Sequence, residues 1–207
     1  MPATCEPAGC KAAAVPGSDL HLQWLSRPDD VPEALRRALT GCWRDVANAG
    51  GAVGFAEEVP VTADVVAPVV DQIVGGLHPR LARLLIATRA DDLAGWLLLT
   101  GNADPVVAHW GRVARLQTAV DARGSGVGRA LMTELHRSAR DDLGLHSLRL
   151  EVRGGMGLEA FYERFGWIVV GAWPGALQFT RYGRRDEVLM ALDLVASRRA
   201  RRSSRDR

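Results

Sequence analysis

Apolar residues at Val31, Leu35, Leu39, Trp43 and Val46 return every three or four positions, the interval at which side chains line one face of a helix. Asp30 and Pro32 stand where helices favour a capping acceptor and a residue without an N–H, and "NAGGAVG" closes the segment. A second helical stretch follows in "TADVVAPVVDQIVGGL", where Pro68 lacks a backbone donor and is expected to delay the start. Before these helices, "HLQWLS" (21–26) alternates as a short strand does.

The period then changes. "RLLIATR", "LAGWLLLTG" and "GRVARLQTAV" are β-rich runs separated by turn residues and predict a three-strand meander. Val127, Leu131, Leu135 and Ala139 line one face of a third helix, with Gly144 near its end. "SLRLEV" (147–152) reads as a strand, and Leu158, Phe161 and Phe165 set a fourth helix within "GLEAFYERFG" (157–166). "WIVVGAW" and "DEVLMALDL" are two last strands joined by a polar segment. The predicted order is β-α-α-β-β-β-α-β-α-β-β, a layered α+β fold in which a mixed sheet carries helices on both faces.

Composition narrows the class without naming a function. No apolar run reaches the roughly 20 residues of a membrane helix, and the first residues lack the regions of a signal peptide, so a cytoplasmic location is expected. Cys5, Cys10 and Cys42 cannot all pair with one another, and no His or Cys cluster completes a metal site around them, so reduced thiols and no metal are expected. Cys42 falls on the apolar face of the first helix and reads as core. Residues 1–18, rich in Pro, Gly and Ala, read as a flexible leader; 196–207 read as a disordered arginine-rich tail. Six arginines and one aspartate in 198–207 make that end locally positive, while the formal net charge of the whole chain is only +2. A solvated tail is favoured over a nucleic-acid contact.

Chemistry concentrates in "RGSGVGRAL" (123–131), between a predicted strand and a predicted helix. Arg129 stands where a dinucleotide fingerprint needs its third glycine, and no Gly-Lys-Ser/Thr completes a Walker loop. What remains is a turn in which glycines admit a ligand to the backbone and the helix N-terminus offers free N–H groups to an anion.

The spacing Arg123-x-x-Gly126-x-Gly128 straight after a strand resembles the acyl-coenzyme A signature of the GNAT superfamily of N-acyltransferases. Some forty residues on, "LRLEVRGGMGLEAFYERFGW" resembles that superfamily's next strand and helix. The stronger likeness covers 110–194 and the weaker helical part fits in order. The resemblance implies one GNAT-like domain over 19–195, with six or seven strands and four helices. It implies that Arg123, Gly124, Ser125, Gly126, Val127, Gly128 and Arg129 cradle a pyrophosphate, and that the backbone at Leu116, Gln117 and Thr118 pairs with the pantetheine arm. A splayed gap between "GRVARLQTAV" and "SLRLEV" would admit thioester and amine from opposite sides. One departure is plain: the "RGGMG" loop lacks the asparagine that relatives often use on coenzyme A.

The reaction so implied is acetyl or short-acyl transfer from acyl-coenzyme A to a primary amine by direct attack. Tyr162 matches the relatives' general acid; a phenol with an ordinary pKa of about 10 is protonated at neutral pH and can donate to a leaving thiolate. Glu151 matches the glutamate that some relatives use as base, and equally suits a structural pair with an arginine. Glu57 and Glu58 fall where an acceptor-binding loop is expected, and Trp173 could wall the acceptor cavity or serve as a buried anchor. An acyl carrier protein as donor, a silent coenzyme A-binding module and a homodimer stay open.

Overall fold

The computed structural model describes residues 13–14, 20–55, 60–179 and 183–195. Most of the leader, Glu57, Glu58 and the arginine-rich tail lie outside them. Twelve elements follow in order: β1 (Ala13–Ala14), β2 (Leu20–Leu25), α1 (Glu33–Asn48), α2 (Ala63–Gly75), β3 (Ala82–Arg89), β4 (Asp92–Thr100), β5 (Trp110–Thr118), α3 (Val127–Asp141), β6 (Ser147–Arg153), α4 (Glu159–Glu163), β7 (Ile168–Phe179) and β8 (Gly183–Asp193). The strands form one sheet in the order β1-β2-β3-β4-β5-β6-β8-β7, antiparallel except where β5 meets β6. From β2 onward the elements follow the predicted sequence. The addition is β1, where Ala13 and Ala14 pair with Leu22 and His21. Two residues joined through backbone bonds leave no side-chain pattern to read.

The sheet separates two cores. Leu85 and Leu97 point to the side covered by α3, with Leu131 and Leu135; Leu84, Ile86 and Trp96 point to the side covered by α1 and α2, with Trp43 and Val70. The central residues of β3 and β4 are therefore buried on both faces, which is why "LLIA" and "AGWL" read as unbroken apolar runs. In α2, five valines disfavour a helix by up to about 0.7 kcal/mol each. Burial of Val66, Val70 and Val74 at helical spacing returns about 1.5 kcal/mol or more for each and outweighs that cost. Pro68 does not delay the helix, which starts at Ala63. Its side is exposed, so the carbonyl of Asp64 that loses a donor faces water.

Over its described residues, 174–179 and 183–185, the predicted polar joint between the last two strands is itself strand. β7 runs through to Phe179, because a register shift between Trp173 and Leu177 absorbs Pro174 and Gly175. Asp186 holds the bulge by accepting from the Gly175 N–H at 2.8 Å. Among the described residues no helix is long and apolar enough to cross a membrane.

Candidate active site

The central event is a parting of strands. β5 and β6 pair in parallel only at Trp110–Ser147, Gly111–Leu148 and Arg112–Arg149, yet β5 continues to Thr118 and β6 to Arg153. Beyond Arg112 the edge of β5 that faces β6 has no strand partner, and a cavity of about 880 Å³ opens there. Leu116, Gln117 and Thr118 line it from β5, Glu151 from β6 and Tyr162 from α4.

A second cavity of about 640 Å³ adjoins it and shares Thr118, Arg123, Gly128 and Phe161. It holds the glycine turn: Gly124, Gly126, Val127, Gly128 and Arg129 line it. Gly126 sits at φ +90° immediately before α3, a left-handed conformation that L side chains rarely adopt. The space above Gly124 and Gly126 is open, so their lack of Cβ leaves the backbone bare to an incoming group. No side chain caps α3 and its first turn holds no acid, so the first N–H groups remain available to an anion. The cationic side chains in this lining are Arg123, Arg129 and Arg164, and no carboxylate lines it. Ser125 turns its hydroxyl to the Ala122 carbonyl at 2.7 Å and accepts from Arg89 Nη1 at 3.4 Å.

Seating α3 against the sheet depends on Gly95 in β4. A Cβ there would lie 2.6 Å from the Gln117 carbonyl oxygen and 2.8 Å from Val127 Cγ1. The side-chain amide of Gln117 is fully buried, and neither its nitrogen nor its oxygen has a hydrogen-bond partner among the described residues. Such a group costs on the order of 1–3 kcal/mol unless a ligand or water satisfies it.

Tyr162 is half-buried, edge-on to Phe161 with centroids 5.1 Å apart and 6.0 Å from Trp167. Burial pushes its phenol up to about 12, so it keeps its proton throughout the neutral range. Its hydroxyl has no hydrogen-bond partner among the described residues. Glu151 accepts from Arg112 Nε at 2.7 Å, at the point where the two strands begin to part. Trp173 stands away from the cavity, 59 % exposed on β7; Ala176, Leu177, Gln178 and Phe179, after the bulge, take the place expected for it on the wall. Cys42 is half-buried on α1, with its thiol pushed up to about 11, chiefly by burial.

Arg115 gives no sign of itself in the sequence. Between Trp96 and Leu98 the pairing of β4 with β5 slips by one residue, and Arg115 takes φ +58° in the bulge. The slip turns its guanidinium over the Trp43 ring, 4.8 Å from the centroid, on the α1 side of the larger cavity. An unbulged reading of "GRVARL" cannot place it there.

A mixed sheet with parted parallel strands is thus flanked by a glycine turn that opens a helix. The family model of the acetyltransferase (GNAT) domain matches residues 66–173, just over half of the chain. The chain belongs to the GNAT acetyltransferase family. Its fold is similar to that of a protein assigned to the GNAT family from Desulfovibrio desulfuricans, with TM-score 0.61 and 22 % identity over 84 % of this chain and 99 % of that one. It is similar also to the ribosomal-protein-S18-alanine N-acetyltransferase of Escherichia coli, with TM-score 0.60 and 20 % identity over 84 % and 94 %. An N-acetyltransferase from Staphylococcus aureus aligns with TM-score 0.62 and 14 % identity over 84 % and 98 %. No curated protein matches the chain in sequence.

Proposed function

We propose that this acetyltransferase moves an acetyl group from acetyl-coenzyme A to the primary amine of a small molecule. The observation that carries the reading is the continuity of the two cavities. The arginine-lined glycine turn leads, through Thr118 and Gly128, into the gap between β5 and β6. A long donor with anionic phosphates at one end and a thioester at the other fits that path. The α3 N-terminus with Arg123 and Arg129 binds the pyrophosphate. The unpaired edge of β5 offers backbone groups, and Gln117 a buried amide, to the amide-bearing pantetheine arm.

The amine attacks the thioester carbonyl directly, forming the C–N bond and a tetrahedral intermediate. Its collapse breaks the C–S bond, and Tyr162 gives its proton to the departing sulfur. The proton lost by the amine passes through water to Glu151. Arg112 donates to Oε2 of that carboxylate, and Oε1 takes the relayed proton. Both groups return to their starting states by exchange with solvent.

Mass spectrometry of small primary amines incubated with protein and acetyl-coenzyme A tests the reading. The expected result is an enzyme-dependent gain of one acetyl group with release of free coenzyme A. Binding of coenzyme A without any acetylated amine overturns it.

A further inference from the structure

We propose that Arg115 is the acceptor-recognition residue of this site, binding the carboxylate of a small amino acid whose amine receives the acetyl group. The proposal rests on the transfer reading above and adds the class of acceptor.

The backbone makes the first case. A non-glycine residue in the left-handed region costs on the order of 1–2 kcal/mol, and the bulge spends it to lift Arg115 out of the regular alternation of β5. Local packing then holds the side chain on the acceptor side. The guanidinium lies over Trp43, and its Nη1 packs closely against Gly54, which takes φ +93° in the loop after α1.

The charge makes the second case. Arg115 is half-buried, and no carboxylate or hydrogen-bond acceptor partners its guanidinium among the described residues. Its neighbour Arg112 differs, because Glu151 neutralises it at 2.7 Å. Burial and the Arg112 charge both disfavour the cation at Arg115, drawing its pKa down. A cation kept in a cavity against these forces is completed by an anion from outside. The phosphates of the donor do not serve, since their cradle lies at the other cavity, by the start of α3. A guanidinium takes a carboxylate through two parallel N–H···O bonds, which fixes the orientation of a small ligand as well as its affinity. With the carboxylate held on the α1 side, the amine of the same molecule is free to turn into the parted strands. Phe55, packed 5.0 Å from Trp43, lines the cavity on this side and gives the bound molecule an apolar wall.

The test pairs each of several amino acids with its own carboxamide, which has the same side chain and amine but no carboxylate. The amide's amine is the easier one to deprotonate, so intrinsic reactivity runs against the proposal. The expected result is that the wild-type chain favours the acid in kcat/KM by at least about tenfold, as loss of a charge-assisted bond implies. Arg115→Gln should raise KM for the acid about 10–100-fold and leave the amide within about threefold. Arg115→Lys, which keeps the charge but not the fork, should fall between. As a readout without turnover, an N-acetyl amino acid added with coenzyme A should raise the Tm of the wild type and not of Arg115→Gln. Equal use of acid and amide by the wild type overturns the proposal while sparing the transfer reading. So does an equal rise in KM for both substrates in Arg115→Gln. Acetylation of neither, with coenzyme A still bound, overturns the proposal, and the transfer reading falls with it only if the wider panel of small primary amines is also left unacetylated. The wild-type comparison decides even if the variants fail to fold.

Discussion

Tyr162 shows how burial sets the chemistry of one side chain. Its ring packs with Phe161 and Trp167 while it lines the cavity at the parted strands. Apolar surroundings raise the phenol to about 12, so it stays protonated through the neutral range while being a weaker acid than a free phenol. Phenylalanine keeps the ring contacts and removes only that proton. Tyr162→Phe should therefore lower kcat about 10²–10⁴-fold and leave the coenzyme A dissociation constant nearly unchanged, measured by steady-state kinetics beside calorimetry. Wild-type kcat in the variant would make Tyr162 a packing residue. At this scale the sequence pointed to the tyrosine and the glycines, because each is set by its neighbours along the chain. It did not point to Arg115, whose place depends on how β5 registers with β4.

At the scale of elements, the cradle is as good as the seat of α3. That helix lies on β3, β4 and β5 through Val127, Leu131 and Leu135, and it comes close at Gly95 because no side chain intervenes. One added methyl meets backbone at 2.6 Å on the β5 side and Val127 on the other, so neither neighbour yields cheaply. Gly95→Ala should cost about 1–3 kcal/mol of stability, read from the urea midpoint. It should also weaken coenzyme A binding, because the displaced end of α3 carries the glycine turn. Unchanged midpoint and affinity together would show that the helix tolerates the shift. The element order was legible in the hydrophobic periods, since helix and strand faces repeat at different intervals. The length of β7 was not. Pro174 and Gly175 end most strands, and only the bulge pairing with β8 carries the chain past them.

Across the whole molecule, the glycine-turn helix and the C-terminal strands are tied at one polar contact inside apolar surroundings. His136 of α3 accepts from the Trp167 indole N–H at 3.1 Å, beside Phe165. Burial, helped by the Arg140 charge, lowers this imidazole from its ordinary 6.5 to about 4. The unfolded chain thus binds a proton there at a pH where the folded chain does not. The stability from the neutral ring is complete above about pH 6.5 and is lost as pH falls toward 4. Between pH 7 and pH 5 the wild type should lose about 1–2 kcal/mol through this group. His136→Gln, which can still accept from Trp167 but does not titrate, should show that much less acid sensitivity in urea titrations. Equal slopes for the two chains would remove His136 from the account.

By itself the sequence determined the order of helices and strands from β2 onward, the layered α+β class and the glycine turn, together with the likeness to an acyl-coenzyme A site. All of these follow from local periods, backbone freedom and short spacings, which are properties of neighbours in the chain. Tertiary structure alone decided where β5 and β6 stop pairing, which residues face the gap, and that Glu151 meets Arg112 across it. It also moved the cavity wall from Trp173 to the strand beyond the bulge and turned Arg115 toward α1. Register and bulges set these outcomes. A slip of one residue sends a side chain to the other face of a sheet, and no residue type in the sequence announces that slip.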